Sequence, residues 1–182
     1  MFSFYPPIQK KYTTAFGVLG KFLHERLGMY PYQVSILGFL CAVSAAWFIF
    51  QLRFFAGFSF LALSLIFDAT DGSIARLYHL ATKTGARLDA LFDRMGELIL
   101  FAALVQANLV SLTLAAITYC IILVATVAVP YSGIDFGMRR SALFFGPFVG
   151  FTVSLQVTVA AQMCALVVSA GKLLIQRYGT VH

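Results

Sequence analysis

Apolar positions dominate this chain, and they arrive in blocks of about 20 residues separated by short polar breaks. Residues 8–28 are the exception. Tyr12, Ala15, Phe16, Leu19, Phe22, Leu23 and Leu27 recur at helical spacing, with Lys10, Lys11, Lys21 and Arg26 between them. That pattern predicts an amphipathic helix lying in the membrane interface, because the interspersed charges would make full burial costly. Gly28 and Pro31 mark a break, and the first apolar block follows at Val34 to Gln51. Further spans are predicted at Phe54 to Arg76, Arg87 to Gln106 and Leu109 to Val129, the last ending at Pro130. The stretch Ala142 to Ile175 is read as two short spans turning near Leu155 to Thr158. Gly146, Pro147 and Gly150 suggest that the fifth helix is kinked or closely packed.

The fold class expected is therefore an all-α integral membrane protein. Residues 1–30 form a juxtamembrane amphipathic helix and residues 31–182 a six-helix membrane domain. About 20 residues per span divide the chain after position 30 into about six spans and leave no room for an extramembrane domain. Composition agrees: of 182 residues 60% are apolar and 11% charged, with a mean hydropathy of +0.88, whereas a soluble domain carries about 25% charged residues. A water-soluble enzyme is excluded. No cleavable signal peptide is visible, so the N-terminus is expected to be retained. Cys41, Cys120 and Cys164 lie in apolar blocks without metal-type spacing and read as packing residues.

The net charge of +6 belongs to membrane topology; nucleic acid is not an expected partner, since no polar domain exists to bind it. With six spans and the N-terminus inside, the inner segments hold Lys10, Lys11, Lys21, Arg26, Arg76, Lys83, Arg87, Arg94, Arg139, Arg140, Lys172 and Arg177, leaving only Arg53 outside. Twelve against one predicts that the N-terminus and the active site face the cytoplasm; the expected location is the plasma membrane, as a multi-pass protein.

Acidic residues carry the functional signal. Five of the seven fall between positions 68 and 97, within or at the ends of apolar helices. An ionisable group at membrane depth is costly, so it faces a polar cavity, a partner or an ion. Asp68 and Asp71 are spaced i, i+3 and Asp89 and Asp93 i, i+4, so each pair shares a helical face. A short connection makes the two helices antiparallel neighbours and brings the pairs to one depth. Four carboxylates match two divalent cations, and oxygen ligands without His or Cys favour Mg²⁺ or Mn²⁺. Glu97 reads as a partner of Arg94 at i, i+3, Asp135 as a loop residue, and His24 and His79 as solvated.

Around these acids the chain reads D68-A-T-D71-G72-S-I-A75-R76, eight further residues, then G85-A-R-L-D89-A-L-F-D93. This spacing resembles the signature of the CDP-alcohol phosphotransferase family at all eight positions. The stretch Y30-P-Y-Q-V-S35 is similar to the family's Pro-Asn-x-x-Thr opening of the first span, with Tyr32 for Asn and Ser35 for Thr. The resemblance implies transfer of a phosphatidyl-type group from a CDP-linked lipid, such as CDP-diacylglycerol, to a small polar alcohol with release of CMP. It implies Asp68, Asp71, Asp89 and Asp93 as metal ligands, with Asp93 also the catalytic base. It implies CDP binding by Gly72, Ala75, Arg76, Gly85 and Ser35, and a homodimer among membrane lipids.

The acceptor is read as inositol phosphate, because a final motif Asp followed by Arg, here D93-R94, is similar to enzymes of that branch. Arg139 and Arg140 are candidates for the acceptor phosphate, and glycerol 3-phosphate or another alcohol is the alternative. A divalent-cation transporter would show inverted repeats and acids at the bilayer midplane; neither is apparent. A non-catalytic membrane scaffold should have lost part of the motif, and none is lost.

Overall fold

The computed structural model describes residues 16–132 and 140–178, which form helices joined by short turns, with no strand among them. Helix α1 covers residues 16–27 and includes a wider π turn at Phe22–Arg26. Then follow α2 (Pro31–Phe50), α3 (Phe54–Leu77), α4 (Lys83–Gln106), α5 (Leu112–Ser132), a 3₁₀ turn (Ser141–Phe145), α6 (Gly146–Val149) and α7 (Phe151–Tyr178). The chain forms two compact units, Met1–Leu100 and Phe101–His182.

In the first unit, α2 and α3 form a tight hairpin. The buried face of α2 is made of Val34, Gly38, Ala42, Ala45, Ala46 and Ile49, a stripe at helical spacing in which small residues let the partner backbone approach. A Cβ on Gly57 of α3 would lie 2.7 Å from Ile49 Cγ1, and one on Gly38 would lie 3.3 Å from Phe67 Cβ. The same buried face of α3 continues through Leu61 and Ser64 to Asp71 and Ile74. Helix register therefore carries Asp71 into the interior. Pro31 starts α2, where the Gln33 side chain accepts the Tyr30 backbone N–H at 2.9 Å.

Helix α1 docks on this hairpin. Leu23 packs with Val34 and Ile74, flanked by Leu19, Met29, Phe67, Tyr78 and Leu80. Its outer face leaves Val18, Phe22 and Leu27 exposed beside the exposed Lys21 and Arg26, as an interfacial helix requires. Gly28 ends it with φ +63, the left-handed conformation that favours glycine at a helix C-terminus. Residues 8–15 of the expected amphipathic helix lie outside the described residues.

Helix α4 begins four residues before the expected Arg87. The reason is Thr82, whose hydroxyl accepts the Gly85 backbone N–H at 3.0 Å and caps the helix start. Helix α5 begins at Leu112, after Asn108 (φ 57), with Ser111 Oγ accepting the Leu114 N–H at 3.3 Å.

In the second unit the expectation of two short spans is corrected. The turn placed near Leu155 to Thr158 falls inside the unbroken helix α7. Nothing from Phe151 to Ala170 is a glycine or proline, and Thr158 satisfies its hydroxyl on the Ser154 carbonyl at 2.9 Å instead of breaking the helix. Ser154, Leu155, Thr158, Gln162, Ala165 and Ser169 form one buried stripe at helical spacing, packed on α5, whose buried side holds Ala115, Thr118, Ile122 and Ala125. The chain breaks earlier, at Gly150 (φ +92). Close packing at Gly146 is as expected, since a Cβ there would enter the Phe151 ring.

Among the described residues, α2, α3 and Phe151–Lys172 of α7 are long and apolar enough to cross a membrane, and α5 contributes a shorter apolar segment, Leu112–Val127. Outward-facing Trp47, Phe55, Val124, Val127 and Val167 are more than half exposed, a surface suited to lipid and not to water. With α7 continuous, Lys172 lies about 30 Å along the helix from Phe151. Cys41 is half-buried and Cys120 and Cys164 are exposed on apolar helices; all three are free thiols.

Candidate active site

The site lies within the first unit, where α2, α3 and α4 supply its walls. Carboxylate oxygens of Asp68, Asp71 and Asp89 all lie within 4.8 Å of one another. Asp71 is buried, at 5% exposure, and the other two are half-buried. Ser35 on α2 donates a 2.5 Å hydrogen bond to Asp71 Oδ2. Three carboxylates at this separation repel one another unless positive charge or protons lie among them. An all-oxygen donor set anchored on two helices fits a hard divalent cation.

A cavity of about 200 Å³ adjoins the acids. It is lined by Asp71 and Asp89, and by all five residues expected to bind CDP: Ser35, Gly72, Ala75, Arg76 and Gly85. Pro31, Tyr32, Leu80, Ala81, Thr82, Ala86, Leu88 and Phe92 complete the lining. The Arg76 guanidinium lies over Gly72: a Cβ there would be in ordinary contact with Arg76 Nη1, at 3.4 Å. Arg76 itself is exposed. At Gly85 a Cβ would lie 3.0 Å from the capping Thr82 hydroxyl. The site is thus negatively charged at the acid trio, with a cation at its rim and an apolar floor.

Asp93 is half-buried one turn beyond Asp89 and is not among the three clustered carboxylates. Arg94 Nη2 lies 3.9 Å from Asp93 Oδ2, while Arg94 Nη1 lies 2.6 Å from Glu97 Oε2, with Glu97 only 2% exposed. The expected i, i+3 pairing of Glu97 with Arg94 is therefore present. Arg140 is buried, at 8% exposure, at the start of the 3₁₀ turn in the second unit. Arg139 and Asp135 lie outside the described residues.

His79 is exposed as expected, but His24 is not the solvated residue anticipated. It is half-buried, its Nδ1 lies 2.9 Å from the Met29 carbonyl, and its ring sits 4.1 Å from that of Tyr78. Sequence reasoning also missed the Ser35–Asp71 bond, which joins positions 36 residues apart and leaves no local signal. The Thr82 cap had one: a threonine three residues before Gly85.

Comparison with known proteins gives this geometry a context. The family model for CDP-alcohol phosphatidyltransferase matches residues 29–180. An archaetidylinositol phosphate synthase of Pyrococcus horikoshii is 34% identical over 93 residues, covering 50% of this chain and 48% of that protein. A phosphatidylinositol phosphate synthase of Mycobacterium bovis is 36% identical over 80 residues, covering 43% of this chain and 37% of that protein. These matches thus span about half or less of the relatives' own length. The fold resembles a crystal structure of Mycobacterium tuberculosis phosphatidylinositol phosphate synthase with CDP-DAG bound, with a TM-score of 0.66 at 22% identity over 87% of this chain and 91% of that one. Since the family match covers most of the sequence and includes every motif position gathered around the cavity, the chain belongs to the CDP-alcohol phosphatidyltransferase family.

Proposed function

We propose that this protein transfers a phosphatidyl-type group from a CDP-activated lipid, such as CDP-diacylglycerol, to a small polar alcohol, with inositol phosphate as the favoured acceptor, releasing CMP. The observation that carries this reading is the clustering of Asp68, Asp71 and Asp89 beside a cavity lined by Ser35, Gly72, Ala75, Arg76 and Gly85. The names of the matched relatives, both inositol phosphate lipid synthases, support the acceptor.

Asp68, Asp71 and Asp89 would hold the divalent cations, two Mg²⁺ or Mn²⁺, with Asp93 the fourth carboxylate on the same face of α4. When bound, such ions neutralise diphosphate charge and the charge developing on the leaving group. Ser35 fixes the orientation of the Asp71 carboxylate through its hydrogen bond. Arg76, exposed at the rim of the cavity, reaches the donor diphosphate from there. Asp93 accepts the proton of the acceptor hydroxyl as its oxygen bonds to the lipid-linked phosphorus, while the bond from that phosphorus to the CMP oxygen breaks. Arg139 and Arg140 are assigned to the acceptor phosphate. The protein is placed in the plasma membrane as a homodimer, with α1 and the site on the cytoplasmic face, where Arg76, Lys83 and Arg87 gather around the α3–α4 connection.

The test is CMP release from CDP-diacylglycerol by purified protein with Mg²⁺ or Mn²⁺ and a panel of acceptors including inositol phosphate and glycerol 3-phosphate. Release that depends on inositol phosphate is expected. No acceptor-dependent release from any CDP-linked donor would sink the assignment.

A further inference from the structure

We propose that Tyr32 is the stacking platform for the donor's nucleobase, so that this site holds the base chiefly by its aromatic face. The inference rests on the CDP-donor reading above and adds a residue to it. A nucleoside diphosphate is a charged diphosphate joined through a sugar to a flat aromatic ring. The cavity has matching parts. Asp71, Asp89 and Arg76 form its charged side, and Tyr32 lines it from the first turn of α2. The other aromatic residue in the lining, Phe92, is half-buried against Phe39 of α2, with ring centroids 5.4 Å apart. Tyr32, 50% exposed, keeps ring surface available.

The Tyr32 ring is also braced. It stacks on Tyr30 at 6.2 Å and 22°, and Tyr30 meets His24 edge-on at 6.1 Å and 81°. His24 lies 2.9 Å from the Met29 carbonyl and 4.1 Å from the Tyr78 ring, whose hydroxyl donates to Glu25 at 2.7 Å. Four rings in series thus run from the end of α3 through α1 to the start of α2 and finish at the cavity. A tyrosine that merely anchored the helix in the interface would need neither the cavity position nor the support. A ring held in place beforehand loses little freedom on binding. Because every base presents a π face, stacking tolerates changes of base, so Tyr32 contributes equally to cytidine and uridine nucleotides.

The experiment is equilibrium binding of CDP, UDP and ribose 5-diphosphate, which lacks a base, to the full-length protein in detergent with Mg²⁺. The wild type is expected to bind both nucleotides more tightly than ribose 5-diphosphate. Tyr32→Ala should weaken CDP and UDP alike by roughly ten- to a hundredfold, the range of a base–aromatic stack, and leave ribose 5-diphosphate within about twofold. Tyr32→Phe should retain wild-type affinity, because the ring and not the hydroxyl makes the contact. Equal weakening of ribose 5-diphosphate, undiminished CDP binding in Tyr32→Ala, or failure of Tyr32→Phe to match the wild type overturns the platform. A wild type that binds ribose 5-diphosphate as tightly as CDP overturns it too, while the donor reading stands. Absence of wild-type binding to all three overturns the donor reading itself and the platform with it.

Discussion

Asp71 sits where two demands meet: its helix register buries it against α2, and its carboxylate is one of three drawn together. Ser35 serves both by donating to Oδ2 from the facing helix. Ser35→Ala is expected to lower apparent Mn²⁺ affinity or turnover by roughly ten- to a hundredfold, the usual effect of losing a group that orients a metal ligand. Titrating CMP release against Mn²⁺ checks this, and raised Mn²⁺ should recover part of the loss. Asp93 should behave differently because it is not one of the three clustered carboxylates. Asp93→Asn is expected to reduce turnover by roughly 10²–10⁴-fold, the range for a positioned base, while CDP-lipid binding persists. Unchanged turnover would remove Asp93 from that role. Beyond Asp93, the pairing of Arg94 with Glu97 spares the helix an isolated buried charge.

At the scale of elements, the α2–α3 hairpin sets the geometry of the site, since Ser35 and Asp71 meet only if the two helices stay close over their whole length. Gly57 is the tightest point of that approach. Gly57→Ala would force a methyl to 2.7 Å from Ile49 Cγ1, with the Ala45 carbonyl oxygen and the Ile49 amide nitrogen both at 3.3 Å. Backbone on that side cannot yield as a flexible side chain could. Destabilisation of about 1–3 kcal/mol is expected, as for other overpacked cores, read as a lower thermal unfolding midpoint in detergent. The ends of α2 and α3 were legible in the sequence to within a few residues, because Pro31 and the polar break at residues 51–53 stand beside long apolar blocks. The start of α4 was less legible: its first turn is polar, and only the Thr82 cap reveals that the helix has begun.

For the whole molecule, the count of spans decides on which side each end of α7 lies. An α7 that crosses from Phe151 to Lys172 without a turn is expected to leave Ser141, which precedes its start, and Lys172, near its end, on opposite membrane faces, whereas a turn at Leu155 to Thr158 would return both to one face. In a background lacking Cys41, Cys120 and Cys164, Ser141→Cys and Lys172→Cys should therefore react with a membrane-impermeant thiol reagent from opposite sides of sealed vesicles. Labelling of both from one side would restore the turn. The sequence by itself determined the membrane class, the helical architecture and the identity of the acidic motif, because scarce charges in apolar helices are constrained by desolvation wherever the chain folds. Only the tertiary structure decided that three of the four motif aspartates cluster, that Ser35 holds Asp71, that a ladder of rings ends at Tyr32 and that α7 does not turn. Those outcomes depend on distance in space and on the burial of one helix face against another, which no local pattern of residues encodes.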